Sequence, residues 1–207
     1  MNITKKSFSS YSTITILIFL GLTCWSSYSV YVLNQPSIYA ENGPLENIQV
    51  FTLSLACLVF FLPAVCQERN DKLFQLFLSL LCLSFVLREV DIEDLNVPNI
   101  LISIGSGTGR NVLLIIGFIA IFSSMLFNLT HQKKVLKRYV LSKGGLLLVT
   151  AGILLCIGSL FEEMTLVAHH AFFEEMSELT GYVITLLVAF IWSKNSLTIH
   201  SDGHLQR

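Results

Sequence analysis

The chain has 207 residues, of which 53% are hydrophobic and only 13% charged, with a formal net charge of −1 and a mean hydropathy of +0.68. A soluble domain is roughly 25% charged, so this chain cannot cover itself with hydrated surface. Its charges are bunched between long apolar runs, as lipid solvent requires. The runs lack the alternation that a transmembrane barrel would need. They predict an all-α, polytopic membrane protein built as one domain over residues 1–207, with short tails at 1–12 and 195–207.

Six segments approach the roughly 20 apolar residues that a spanning helix needs. Lys5 and Lys6 precede the first, Thr13–Leu33, which has no small-residue cleavage site and is expected to stay as an uncleaved helix. Glu41-Asn-Gly-Pro-Leu-Glu46 follows. Asn42 and Gly43 suit a turn, Pro44 suits a first helical turn, and Glu46 falls where it can meet free backbone N–H groups. Glu46, Gln49 and Leu53 also share one helical face, which would turn the two polar groups into the bundle.

The second span, Glu46–Cys66, leads through a turn holding Arg69 and Lys72 into the third, Leu73–Val90, near the short limit. That span closes on Arg88-Glu-Val-Asp-Ile-Glu-Asp94. Arg88 lies roughly 22 Å along the axis at 1.5 Å per residue, where an unpaired charge costs on the order of 3 kcal/mol. It either reaches lipid phosphates or meets a carboxylate of the last two helices, for which Glu178 is the expected partner. Ile104-Gly-Ser-Gly-Thr-Gly-Arg-Asn111 lacks the Gly-Lys-Ser/Thr of a P-loop and is expected to be a flexible loop, with an anion-binding nest as the alternative.

The fourth span, Asn111–Leu129, runs into the basic stretch His131–Lys143 (HQKKVLKRYVLSK), then the fifth, Gly144–Phe161, also short. Few residues separate Glu162 and Glu163 from His169, so the fifth and sixth spans form a tight antiparallel hairpin. In the sixth, Ala171–Trp192, His170, Glu174 and Glu178 recur every four residues as one stripe beside Ser177 and Gly181, with Phe172, Phe173, Met176 and Leu179 pointing elsewhere. The five cysteines form no CxxC pair and read as packing residues.

Orientation follows from Lys and Arg in short loops. Eleven of thirteen basic residues fall on one side of the six spans and eleven of fourteen acidic residues on the other. Both termini are therefore expected in the cytoplasm. The outer side gathers Glu41, Glu46, Glu89, Asp91, Glu93, Asp94, Glu162, Glu163, Glu174, Glu175 and Glu178 with His169 and His170. An intramembrane carboxylate is a functional-site candidate. Glu174, Glu178, Arg88 and Glu89 are the candidate catalytic groups. His170, Glu174 and Glu163 are the candidate ligands of a divalent metal, although neither HExxH nor the paired Glu-x-x-His of di-iron bundles is present.

Glu-Asn-Gly-Pro-x-Glu before the second span, an acidic cluster closing the third and His-x-x-x-Glu-Glu-x-x-Glu-Leu-x-Gly opening the last together resemble a family of small bacterial multi-pass inner-membrane proteins with EDGPxE, GEE-type and EExxEL motifs. The resemblance covers Glu41 to Phe190. Leu87-Arg-Glu89 stands where the family would have Gly-Glu-Glu. It implies a bacterial inner-membrane location and supports where the site lies, without implying a reaction. Alkaline-ceramidase-like hydrolases, which hold zinc with three histidines, do not fit, since only His169 and His170 lie on the outer side.

Two classes of function remain open. One is a membrane enzyme acting on, or a protein binding, a lipid or lipid-linked ligand or a divalent cation at the outer leaflet. The other is a non-catalytic scaffold or partner-binding subunit whose Arg/Glu network is structural. Transport is weaker, because no inverted repeat or mid-membrane Gly/Pro break appears. The bilayer is the one partner expected with either class, and no nucleic-acid partner is expected.

Overall fold

Backbone polar groups in lipid must be satisfied within their own segment, and a helix does this at every residue. A computed structural model of the chain is accordingly all-α. It describes every residue except 1–2, 67–70, 91, 93–97, 128, 165 and 204–207, and leaves aside the side chains of 3–12, 99, 101, 104 and 194–203. Arg69, Asp91, Glu93, Asp94 and Arg207 therefore lie outside the described residues, as do the side chains of Lys5, Lys6 and Lys194. The elements are α1 (Ile3–Tyr31), a 3-10 turn (Pro36–Ile38), α2 (Pro44–Cys66), α3 (Lys72–Glu89), α4 (Asn99–Gly105), α5 (Gly107–Leu126), α6 (Leu129–Val140), α7 (Lys143–Glu163) and α8 (His170–Gly203).

Five helices are long and apolar enough to cross a membrane: Thr13–Tyr31 of α1, α2, α5, α7 and His170–Ser193 of α8. The chain is a multi-pass membrane protein by helix length and composition. The third expected span, Leu73–Val90, falls short of that standard. α3 has 18 residues, and Lys72, Arg88 and Glu89 place three charges within them. Two expected loops are also helical. Between α4 and α5 only Ser106 is non-helical, with Gly107 at φ 47°, so the loop expected over Ile104–Asn111 shrinks to a one-residue break between two helices. The basic stretch after the fourth span is α6, because its apolar residues recur at helical spacing.

The described chain divides into two compact units, one formed by residues 1–49 and 147–207 and the other by 50–146. In the first, Val30, Ile38, Leu45, Phe172, Leu179 and Val183 form the core, with Phe19, Tyr39, Ile48, Met176 and Leu187 packed on it. One face of α8 meets α1: Phe172 stands edge-on to Tyr31 at 5.8 Å, and Ser26 Oγ donates to Met176 Sδ at 3.5 Å. Another meets α7 as the expected antiparallel hairpin. Phe161 stacks on Phe173 at 5.5 Å, Gly181 lies against Ala151 and Leu155, and Gly158 lies against Glu178. Small residues let the two backbones approach closely, which is how helices associate without a hydrophobic force between them.

In the second unit, α3 buries Gln75, Leu78, Ser79 and Cys82, a three-and-four spacing that defines one face. On that face Ser79 Oγ donates to the Cys57 carbonyl of α2 at 3.1 Å. Phe77 on α3 packs against Phe118 and Phe122 of α5 at 5.7 and 5.6 Å. Arg110 at the start of α5 donates to the Leu87 carbonyl at 2.6 Å, satisfying a last-turn acceptor of α3 with a cation. The cysteines are all free. Cys82 is buried, whereas Cys24, Cys66 and Cys156 are exposed on their helices instead of packed inside.

Candidate functional site

The polar residues of the first unit gather where the α1–α2 and α7–α8 connections meet. Asn34 and Asn42 both adopt left-handed backbone, at φ 52° and 59°, which Asn tolerates better than most residues. They allow the chain to leave α1, form the 3-10 turn and enter α2 within a few residues. Glu46 accepts a hydrogen bond from the Asn42 backbone N–H at 2.5 Å. Its carboxylate thus meets a free backbone N–H in the turn just before α2, where the sequence placed it.

One turn further, Gln49 is fully buried. Its Nε2 donates to the Glu175 carbonyl at 2.9 Å and to Glu175 Oε2 at 2.7 Å. The inward face predicted for Gln49 is therefore real, and Leu53 one turn on is also buried. Gln49 Oε1 is buried and has no hydrogen-bond partner among the described residues. A stranded buried acceptor costs about 1–3 kcal/mol, while the same amide's Nε2 makes two hydrogen bonds.

His169 has φ 57° and closes the α7–α8 turn by accepting from the backbone of Phe172 at 3.0 Å. Its ring nitrogen Nδ1 lies 3.1 Å from the Tyr39 hydroxyl, and its ring stands edge-on to Tyr31 at 5.5 Å. His170, favoured from sequence, instead makes a local contact from Nδ1 to the Val167 carbonyl at 3.3 Å. Glu178 is 5% exposed, and a methyl on Gly158 would come within 2.9 Å of its Cγ. Gly158 also borders the Glu174 carbonyl, so α8 turns its Glu178 side toward α7. Glu162 and Glu163 at the end of α7 are exposed.

Among the described residues no three His, Cys, Asp or Glu side chains are grouped to hold a metal ion, and His170, Glu174 and Glu163 form no such set. Arg88 and Glu178 belong to different units. Within its own unit Arg88 pairs with Glu89 at 2.8 Å, its side chain 48% exposed, and its guanidinium lies 5.9 Å from the centre of the Phe85 ring. Tyr39, His169 and Glu175 are the groups that sequence reasoning did not single out. An aromatic residue just before the acidic turn was the available signal for Tyr39, since Tyr favours membrane interfaces. Comparison of the chain with protein-family models, with curated proteins and with solved structures returned no match.

Proposed function

We propose that this is a six-span protein of the bacterial inner membrane with both termini cytoplasmic, and that the polar end of its first unit binds the head group of a lipid or lipid-linked molecule in the outer leaflet. Counting α3 as a span rests on charge. If α3 did not cross, the basic turn ending at Lys72 and the basic helix α6 would lie on opposite sides, against the rule that Lys and Arg of short loops share the cytoplasmic face. Arg88 and Glu89 sit in its last turn, where long side chains reach the interface at small cost.

The ligand assignment is carried by Gln49 Oε1, a buried acceptor without a donor. An ammonium or hydroxyl of a head group would supply that donor, beside the Glu175 carboxylate that already faces Gln49. Glu178 and His169 are the nearby groups that would handle protons should the bound molecule react. A divalent cation is the less favoured ligand, because among the described residues no donor group of three is assembled.

A second reading rests on the same residue: Gln49 Nε2 ties the start of α2 to α8, which would suit a purely structural network. Lipids bound to the purified protein, identified by mass spectrometry, separate the two. Wild type should retain one amine- or hydroxyl-bearing lipid above its share of the membrane, and Gln49→Met should lose it. A bound-lipid profile identical to that of the bulk membrane would leave Gln49 as a structural tie.

A further inference from the structure

α6 divides its residues cleanly by direction. At 100° per residue, Leu129, Val135, Leu136, Tyr139 and Val140 share one arc of the helix, and Lys133, Lys134, Lys137 and Arg138 share the other. Part of the apolar arc is spent inside the unit. Tyr139 is buried, packs on Phe74 at 4.6 Å, and its hydroxyl donates to Asp71 just before α3. The rest is not: Leu129, Leu136 and Val140 are 48%, 50% and 48% exposed. The four cations are exposed, and no carboxylate among the described residues pairs with them.

The chain also fixes where this helix can be. α5, which ends at Leu126, and α7, which begins at Lys143, are both long and apolar enough to span. Twelve helical residues extend about 18 Å, whereas the three steps from Val140 to Lys143 reach back at most about 11 Å. α6 therefore cannot stand on end away from the bilayer. The return turn is itself built: Ser142 Oγ accepts from the Gly145 N–H at 3.0 Å at the start of α7.

We propose that α6 lies in the membrane interface and binds anionic phospholipid head groups, with Leu129, Leu136 and Val140 entering the acyl boundary and Lys133, Lys134, Lys137 and Arg138 taking the phosphates. The charge complementarity chooses the occupant. A basic face flanking a half-exposed apolar face is what an anionic lipid surface accepts, and each cation near such a surface adds to binding within a Debye length. This assignment rests on the spanning of α5 and α7 and not on the role of Gln49.

The full-length protein in neutral detergent, supplemented with phosphatidylglycerol or phosphatidylcholine, tests it through the unfolding temperature. Phosphatidylglycerol should stabilise wild type at about tenfold lower concentration than phosphatidylcholine, and added NaCl should erase the preference. The K133Q/K134Q/K137Q/R138Q variant should lose the preference, the corresponding Lys→Arg variant should keep it, and the K5Q/K6Q variant should keep it. Equal response of wild type to the two lipids, a preference unmoved by salt, retention in the quadruple Gln variant, or the same shift from inorganic phosphate alone would each overturn the proposal. The salt arm needs no variant, so misfolding of the quadruple variant leaves the test intact.

Discussion

At the scale of single residues, the tightest contact around the buried carboxylate is also the simplest to probe. Gly158 faces Glu178 Cγ and the Glu174 carbonyl, so a methyl there forces Glu178 to move, whereas nothing lies within 4 Å of a methyl on Gly152 of the same helix. Gly158→Ala should cost about 1–3 kcal/mol through overpacking, and Gly152→Ala should be neutral or slightly stabilising. Unfolding of both variants in one detergent checks this, and equal behaviour would show that α7 and α8 do not approach closely at Gly158. Sequence alone put Glu178 on a stripe facing inward. It could not say that a glycine on α7 creates the room, because glycine is silent about which neighbour approaches it.

At the scale of elements, a helix hidden inside a basic connection decides how the second unit is stapled. The Tyr139 hydroxyl joins α6 to Asp71 while its ring rests on Phe74. Tyr139→Phe keeps the ring contact and removes the hydrogen bond, so it should lower stability by about 1 kcal/mol. Tyr139→Ala should cost several times more by losing the buried ring as well. Thermal unfolding of the two variants separates the contributions, and matched losses would place all the energy in the hydrogen bond. The five long apolar helices were legible because length and composition are local properties. The marginal third segment was not decided by them, since its end charges weigh against spanning as strongly as its apolar centre weighs for it.

At the scale of the whole molecule, the proposed topology makes an ordered set of predictions for single cysteines. Cys24, Cys66 and Cys156 are exposed, so the five native cysteines must first be replaced. A membrane-impermeant thiol reagent added outside intact cells should then label cysteines placed at Asn42 and Pro98 and leave one at Lys134 unlabelled. Labelling at Lys134 but not at Asn42 would reverse the orientation. Labelling at Asn42 but not at Pro98 would mean that α3 does not cross, leaving five spans with termini on opposite sides.

What the sequence determined by itself was solvent class, the places of the five long apolar helices and the tight α7–α8 hairpin. Each follows from runs, turns and charges that act over a few neighbouring residues. It also placed the polar end, because acids cluster at Glu41–Glu46 and Glu162–Glu178 on either side of two short connections. Only the tertiary structure decided which of two adjacent groups serves. His169 rather than His170 meets Tyr39, and Glu175 rather than Glu174 meets Gln49. Glu174 and Glu175 point about 100° apart on α8, while His169 stands in the left-handed turn just before it, and the neighbour each direction finds depends on how helices distant in sequence are rotated against one another. A four-residue spacing names a face. It does not name what that face touches.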